Sequence, residues 1–286
     1  MKVLVTGVKG QLGHDVVNEL IRRGHCAVGV DIEEMDITDS QSVDQVIRGA
    51  NPDAVIHCAA WTAVDAAEEE ENIPKVRRVN GEGTAHIAKV CKALDCKMMY
   101  ISTDYVFDGQ GSDPWHPDSK DYAPLSVYGQ TKLEGELAVS GLLDKFFIVR
   151  IAWVFGVNGK NFIKTMLALS EKYDALRVVN DQIGTPTYTF DLARLLVDMI
   201  ETEKYGYYHA TNEGGYISWA DFAAEIFRQA GKTTVVTPVT TAEYGVSKAR
   251  RPFNSRLDKH KLVENGFEPL PTWQDALARY LKELEK

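Results

Sequence analysis

Met1-Lys2-Val3-Leu4-Val5-Thr6-Gly7-Val8-Lys9-Gly10-Gln11-Leu12-Gly13 opens the chain, and its reading decides the fold. Val3, Leu4 and Val5 form a short apolar run with two β-branched residues, suited to a buried strand. Beyond the glycines, Leu12, Val16, Val17, Leu20 and Ile21 recur at helical spacing, and Gly24 supplies a stop. Strand, glycine turn and helix in that order make a dinucleotide site. The glycines let the backbone approach a pyrophosphate, which then rests on the positive end of the helix. Gly7, Gly10, Gln11, Leu12 and Gly13 are expected to line the cofactor.

The following residues repeat the unit. Residues 27–30 read as a second strand ending at Asp31, whose carboxylate can accept hydrogen bonds from adenosine ribose hydroxyls and repels a 2′-phosphate. NAD(H) is therefore favoured, with NADP(H) still possible because Lys9 in the turn partly offsets the repulsion. Asp36 and Ile37 lie in a loop leading to a helix N-cap, where Asp36 can either reach the adenine edge or cap the helix. Residues 54–58 are a third buried strand. After it, Ala59, Ala60, Trp61 and Thr62 begin with small side chains that let a cofactor pass close by. His57, inside the strand, reads as a satisfied core histidine. Asn80 opens a helical stretch, and residues 98–101 form a fourth strand ending at Ile101-Ser102-Thr103-Asp104, with hydroxyls at its carboxyl end. Asn80 and Ile101 complete the expected cofactor contacts. With residues 146–154 as the next strand, the βα alternation predicts an α/β fold: a Rossmann, doubly wound parallel sheet over 1–154. Residues 155–286 change texture and predict a smaller, mostly helical C-terminal substrate-binding portion, with room for the chain to cross between the two more than once.

Ser126-Val127-Tyr128-Gly129-Gln130-Thr131-Lys132 carries the chemistry. On a helix, Tyr128 and Lys132 share a face one turn apart, so an ammonium near the phenol favours the phenolate and eases proton donation. The same spacing recurs at Tyr244 and Lys248. Position selects the first pair, since Tyr128 follows the strand that ends at Thr103 while no hydroxyl-bearing strand end precedes Tyr244.

A net charge of −9 over 286 residues argues against nucleic-acid and membrane-surface partners, which reward a basic face. No apolar run approaches the ~20 residues of a membrane span, and the first residues are too short for a signal peptide, so a cytoplasmic location is expected. Cys26, Cys58, Cys91 and Cys96 lack metal-ligand spacing and read as reduced core or near-core thiols, and no metal is assigned. The acidic run at residues 68–71 reads as a solvated face.

Several longer stretches resemble the extended short-chain dehydrogenase/reductases, and within them the dTDP-4-dehydrorhamnose reductases. They are the glycine turn, Thr62-Ala63-Val64-Asp65, Ser102-Thr103-Asp104-Tyr105-Val106-Phe107, Tyr128-Gly129-Gln130-Thr131-Lys132, Trp153-Val154-Phe155-Gly156, Asn180-Asp181-Gln182-Ile183-Gly184-Thr185-Pro186-Thr187 and Arg251-Pro252-Phe253-Asn254-Ser255. The resemblance implies NAD(P)H-dependent reduction of the C4 ketone of dTDP-4-dehydro-L-rhamnose. Tyr128 would be the proton donor, Lys132 its partner and the ribose ligand, and Thr103 the group polarising the ketone. It further implies sugar contacts from Asp104 and Trp153, and thymine or diphosphate contacts from Gln182 and Arg251, with Arg250 an alternative. A homodimer is possible. Family members can pair through a carboxylate-bound divalent cation, but Phe190 stands where an acid is expected and only Asp15 is suggestive. The competing readings are another nucleotide-sugar ketoreductase, a 4-epimerase with the same triad, and a dinucleotide-binding regulatory subunit resembling that of methionine adenosyltransferase. A 4,6-dehydratase needs a second acid-base carboxylate where Tyr105 follows Asp104.

Overall fold

The computed structural model describes residues 1–245 and 247–285. Strands β1 (Lys2–Thr6), β2 (Cys26–Val30), β3 (Ala54–His57), β4 (Lys97–Thr103) and β5 (Phe146–Ile151) alternate with helices. A later strand, Gly206–His209, joins the free edge of β5. The sheet therefore runs from Gly206–His209 through β5, β4, β3 and β1 to β2, with every neighbouring pair parallel. Parallel strands covered on both faces must be apolar on both, and successive side chains alternate between the two cores. Val3 and Val5 enter the core shared with helices Gln11–Arg22 and Thr189–Ile200, whereas Leu4 enters the one shared with helices Ser40–Ala50, Gly83–Leu94 and Val127–Leu142. Each such side chain, fully enclosed, contributes about 1.5–3 kcal/mol relative to exposure. A third core gathers Phe155, Tyr188, Phe222, Trp273 and Tyr280 from the later part of the chain.

The first strand lies between β2 and β3, so the chain reverses its direction of travel across the sheet there. A crevice opens beyond the carboxyl ends of strands at such a point. Ligand-facing residues are thus set by where the strands stop.

Four expectations need correction. The strand expected over 146–154 ends at Ile151, because Trp153 adopts φ +50, a left-handed conformation that interrupts a strand. Asn80 does not open its helix: helix Ile73–Arg77 continues through a π-helical turn, Arg78–Glu82, into Gly83–Leu94, and Asn80 lies in that turn. Cys26 is exposed, because β2 is the edge strand, whereas Cys91 and Cys96 are buried. The later part is less purely helical than its pattern suggests. It holds a parallel strand pair, Ala175–Val179 with Val235–Val239, and it lends Gly206–His209 to the main sheet.

Candidate active site

The first strand ends in a turn whose shape requires glycine. Gly7 has φ +70, and a Cβ there would lie 2.8 Å from the backbone of Ala59; one at Gly13 would lie 2.3 Å from the carbonyl oxygen of Gly7. Helix Gln11–Arg22 begins at Gly10 without a side-chain cap, so its first N–H groups are left for a ligand at the turn. Gly7, Gly10, Gln11, Leu12 and Gly13 line a cleft of about 580 Å³ that continues past Ala59, Ala60, Thr62, Ile101, Ser102, Thr103, Asp104, Tyr128, Lys132 and Trp153. The Gln11 side-chain oxygen is engaged, accepting from Gly156 N (2.9 Å) and Asn161 Nδ2 (3.0 Å).

Asp31 lies at the shared edge of this cleft and a neighbouring cavity of about 360 Å³ that contains Asp36 and Ile37. Its carboxylate accepts from Lys9 N (2.9 Å) and Ile32 N (3.0 Å), while the Lys9 ammonium is drawn 2.6 Å from Glu33. Asp36 accepts from the backbone and hydroxyl of Thr38, and the cap of helix Ser40–Ala50 is Asp39 instead. Lys75 and Arg78 also line the smaller cavity, which the sequence pattern had not indicated. Trp61 and Asn80 line neither space. Asn80 Oδ1 accepts from Trp61 N (2.8 Å), and its Nδ2 donates to Trp61 O (3.2 Å) and Thr131 Oγ1 (3.2 Å). It therefore holds the loop after β3 from behind. His57 is buried between Thr6 Oγ1 (2.7 Å) and Thr84 Oγ1 (3.1 Å), and burial pulls its pKa to about 3, as a core imidazole.

The groups expected to be catalytic come from two elements. Thr103, at the end of β4, donates to Asp104 Oδ1 at 2.9 Å. Ser126 caps helix Val127–Leu142 by accepting from Gly129 N (3.1 Å). A Cβ on Gly129 would fall 2.3 Å from Tyr105 O, so the bare glycine lets the helix close on the loop, and the Tyr105 ring meets Tyr128 edge-on at 5.4 Å. Lys132 is buried, donates to Ile101 O at 2.7 Å and lies 4.1 Å from the centre of the Tyr100 ring.

The titration pattern departs from expectation. Burial pushes the Tyr128 phenol well above its ordinary value, with the Thr103 hydroxyl pulling the other way, and it draws Lys132 down to about 7. Desolvation disfavours both charges at once and outweighs the expected easing of the phenol. Asp104 is likewise raised by burial, to about 6. Ser102 Oγ and Asp104 Oδ2 are buried in the cleft wall without a protein partner, as groups awaiting a polar ligand would be. With the glycine cradle, they fit a nicotinamide dinucleotide and a polar substrate side by side.

A third cavity, of about 700 Å³, contains Gln182 and Arg251, but not Arg250. Arg251 Nη2 donates to Asp65 at 2.7 Å, and Gln182 Nε2 donates to Thr241 Oγ1 at 3.0 Å. Trp153, from the first cleft, stacks on Trp219 from this cavity at 3.7 Å, so the two spaces are neighbours across that ring pair. Tyr244 is 59% exposed and Lys248 is paired with Glu69, so the second tyrosine–lysine spacing lies away from the cleft. Val246, between them, lies outside the described residues. Among the described residues, no cluster of three or more His, Cys, Asp or Glu side chains could hold a metal ion, and no helix is long and apolar enough to cross a membrane.

A doubly wound parallel sheet whose crevice carries a glycine-turn cradle, a threonine, a tyrosine and a lysine defines the short-chain dehydrogenase/reductase class. Within it, the chain belongs to the family described as the RmlD substrate binding domain, whose model matches residues 1–286. It is 41% identical over 280 residues to a dTDP-4-dehydrorhamnose reductase of Streptomyces griseus, covering 96% of this chain and 91% of the relative. Among solved structures, it is similar to a dTDP-4-dehydrorhamnose reductase of Clostridium acetobutylicum (TM-score 0.95, 40% identity, 100% of both chains). It is also similar to one from Bacillus anthracis in complex with NADP (TM-score 0.94, 38% identity, 99% of both chains).

Proposed function

We propose that this protein reduces the C4 ketone of dTDP-4-dehydro-L-rhamnose to the alcohol of dTDP-L-rhamnose. A reduced nicotinamide dinucleotide, when bound along the glycine turn, supplies the hydride. The observation that most directly supports this reading is the convergence of Thr103, Tyr128 and Lys132 on the cleft that begins at that turn. Tyr128 donates a proton to the oxygen of the ketone as charge develops on it, and Thr103 donates a hydrogen bond to the same oxygen. Lys132 holds a cation beside the phenol and takes the nicotinamide ribose. Asp104 and Trp153 contact the sugar, and Gln182 and Arg251 take the thymine and diphosphate in the adjoining cavity; an arginine fork matches phosphate oxygens.

NADH is the favoured cofactor and NADPH an accepted one. The Asp31 carboxylate at the ribose end of the cleft and the engagement of Lys9 by Glu33 both work against a 2′-phosphate. A nucleotide-sugar substrate and a diffusible cofactor are consistent with a cytoplasmic location. The reading is tested by following nicotinamide absorbance with enzymatically made dTDP-4-dehydrorhamnose and each cofactor in turn. Substrate-dependent oxidation, faster with NADH at low concentration, is expected. No oxidation with either cofactor would overturn the reading.

A further inference from the structure

The reaction above uses two residues of helix Val127–Leu142, but a third on the same face has no role in it. Tyr128, Lys132 and Glu136 follow one another at four-residue spacing, so they stack along one side of the helix. Glu136 is fully buried and so is its partner, Arg150 of β5: Nε donates to one carboxylate oxygen at 2.8 Å and Nη2 to the other at 2.7 Å. The remaining guanidinium hydrogens go to Pro117 O (3.0 Å), Tyr122 Oη (3.2 Å) and His209 Nε2 (3.3 Å), which leaves every donor engaged. A pair this deep gives little net stability over an apolar replacement of the same volume, so stability alone does not account for it.

The surroundings of Lys132 indicate what the pair does. Its own helix presents Tyr128 and Glu136, β3 and the residue after it present His57 and Cys58, and β4 presents Tyr100 and the carbonyl of Ile101. Burial holds His57 neutral, raises Cys58 to about 12 and raises Tyr100 well above its ordinary value. Among these, only Glu136 is a carboxylate, held in a two-pronged ion pair with Arg150. It is also the largest influence opposing the burial that draws Lys132 down to about 7. Tyr100 fixes the spacing: its hydroxyl donates to Lys132 O at 3.2 Å, and it fits because Gly135 has no Cβ, which would stand 2.4 Å from that hydroxyl.

We propose that Glu136 is a positioning residue: oriented by the fork of Arg150, its carboxylate keeps the ammonium of Lys132 charged beside Tyr128. The catalytic meaning of this inference rests on the reductase reading, but the charge of Lys132 can be read without substrate or cofactor. Trace acetylation with acetic anhydride across pH, followed by mass spectrometry of the Lys132 peptide, reports the titration midpoint of that one amine. Glu136→Gln should lower the midpoint by about one pH unit. It should also move the alkaline limb of kcat to lower pH by the same amount, with KM little changed, and Glu136→Asp should restore both. Should Glu136→Gln strand Arg150 and fail to fold, the double variant Glu136→Gln/Arg150→Gln removes both buried charges and should still lower the midpoint, by less than the single variant because loss of the guanidinium charge acts the other way. An unchanged midpoint in a soluble variant, or activity lowered equally at every pH, would overturn the proposal. If the wild type fails to reduce the ketosugar, the reductase reading falls, while the acetylation midpoint still decides the role of Glu136.

Discussion

Asn80→Ala separates a residue that touches the cofactor from one that shapes its bed. The Asn80 side chain makes three hydrogen bonds: two to the backbone of Trp61 and one to Thr131 Oγ1. At about 1 kcal/mol net each, their loss costs ~3 kcal/mol. Alanine recovers roughly 0.5 kcal/mol through its better helix propensity, leaving a net loss of about 2–3 kcal/mol. The cost falls on the loop after β3, where Ala59 and Ala60 line both cofactor-side spaces, so binding must now reorder that loop. Each 1.4 kcal/mol of reordering weakens affinity about tenfold. Urea denaturation of the free protein and fluorescence titration with NADH measure the two effects separately. The variant should lose about 2–3 kcal/mol of stability, bind NADH ~10-fold more weakly, and regain stability when cofactor is in excess. Unchanged stability with a hundredfold or greater loss of affinity would mean that the amide contacts the dinucleotide itself, contrary to its position behind the loop.

Two further substitutions probe the cradle and its selectivity. Gly13→Ala places a Cβ 2.3 Å from Gly7 O, a backbone atom that cannot swing aside; calorimetric titration should find NADH binding abolished or weakened by at least ~100-fold, and near-normal binding would refute the required close approach. Asp31→Ala removes the carboxylate from the ribose end and leaves Lys9 N without its acceptor. The ratio of kcat/KM for NADPH to that for NADH should rise ~10-fold or more, and an unchanged ratio would locate the discrimination elsewhere.

The frame of the site is local in sequence and was therefore legible there. The turn from Thr6 to Gly13, Asp31 after β2 and Thr103 at the end of β4 all sit where a strand stops, and hydrophobic periodicity marks strand ends well. What escaped depends on contacts between distant segments. Gly206–His209 becomes the sixth strand only because β5 has a free edge, and the pairing of Ala175–Val179 with Val235–Val239 joins residues far apart in the chain. The left-handed Trp153 had no glycine to announce it. The sequence pattern suggests a cofactor contact for Asn80, whereas its side chain is engaged with the backbone of Trp61 and with Thr131. Burial outweighs the expected easing of Tyr128 by Lys132, because spacing shows that two groups are neighbours but not that both are desolvated. Glu136 could have been found by extending the Tyr128–Lys132 spacing one more turn, but its partner Arg150 lies on another element.

In the proposed mechanism, Tyr128 gives the proton that completes ketone reduction. Single-turnover oxidation of NADH by dTDP-4-dehydrorhamnose, compared between the wild type and Tyr128→Phe, measures that step directly. The substitution removes one hydroxyl and leaves the ring against Tyr105, so melting temperature and NADH affinity should hold while the rate falls by about two to four orders of magnitude. A folded, cofactor-binding variant that turns over within a few-fold of the wild type would contradict the account.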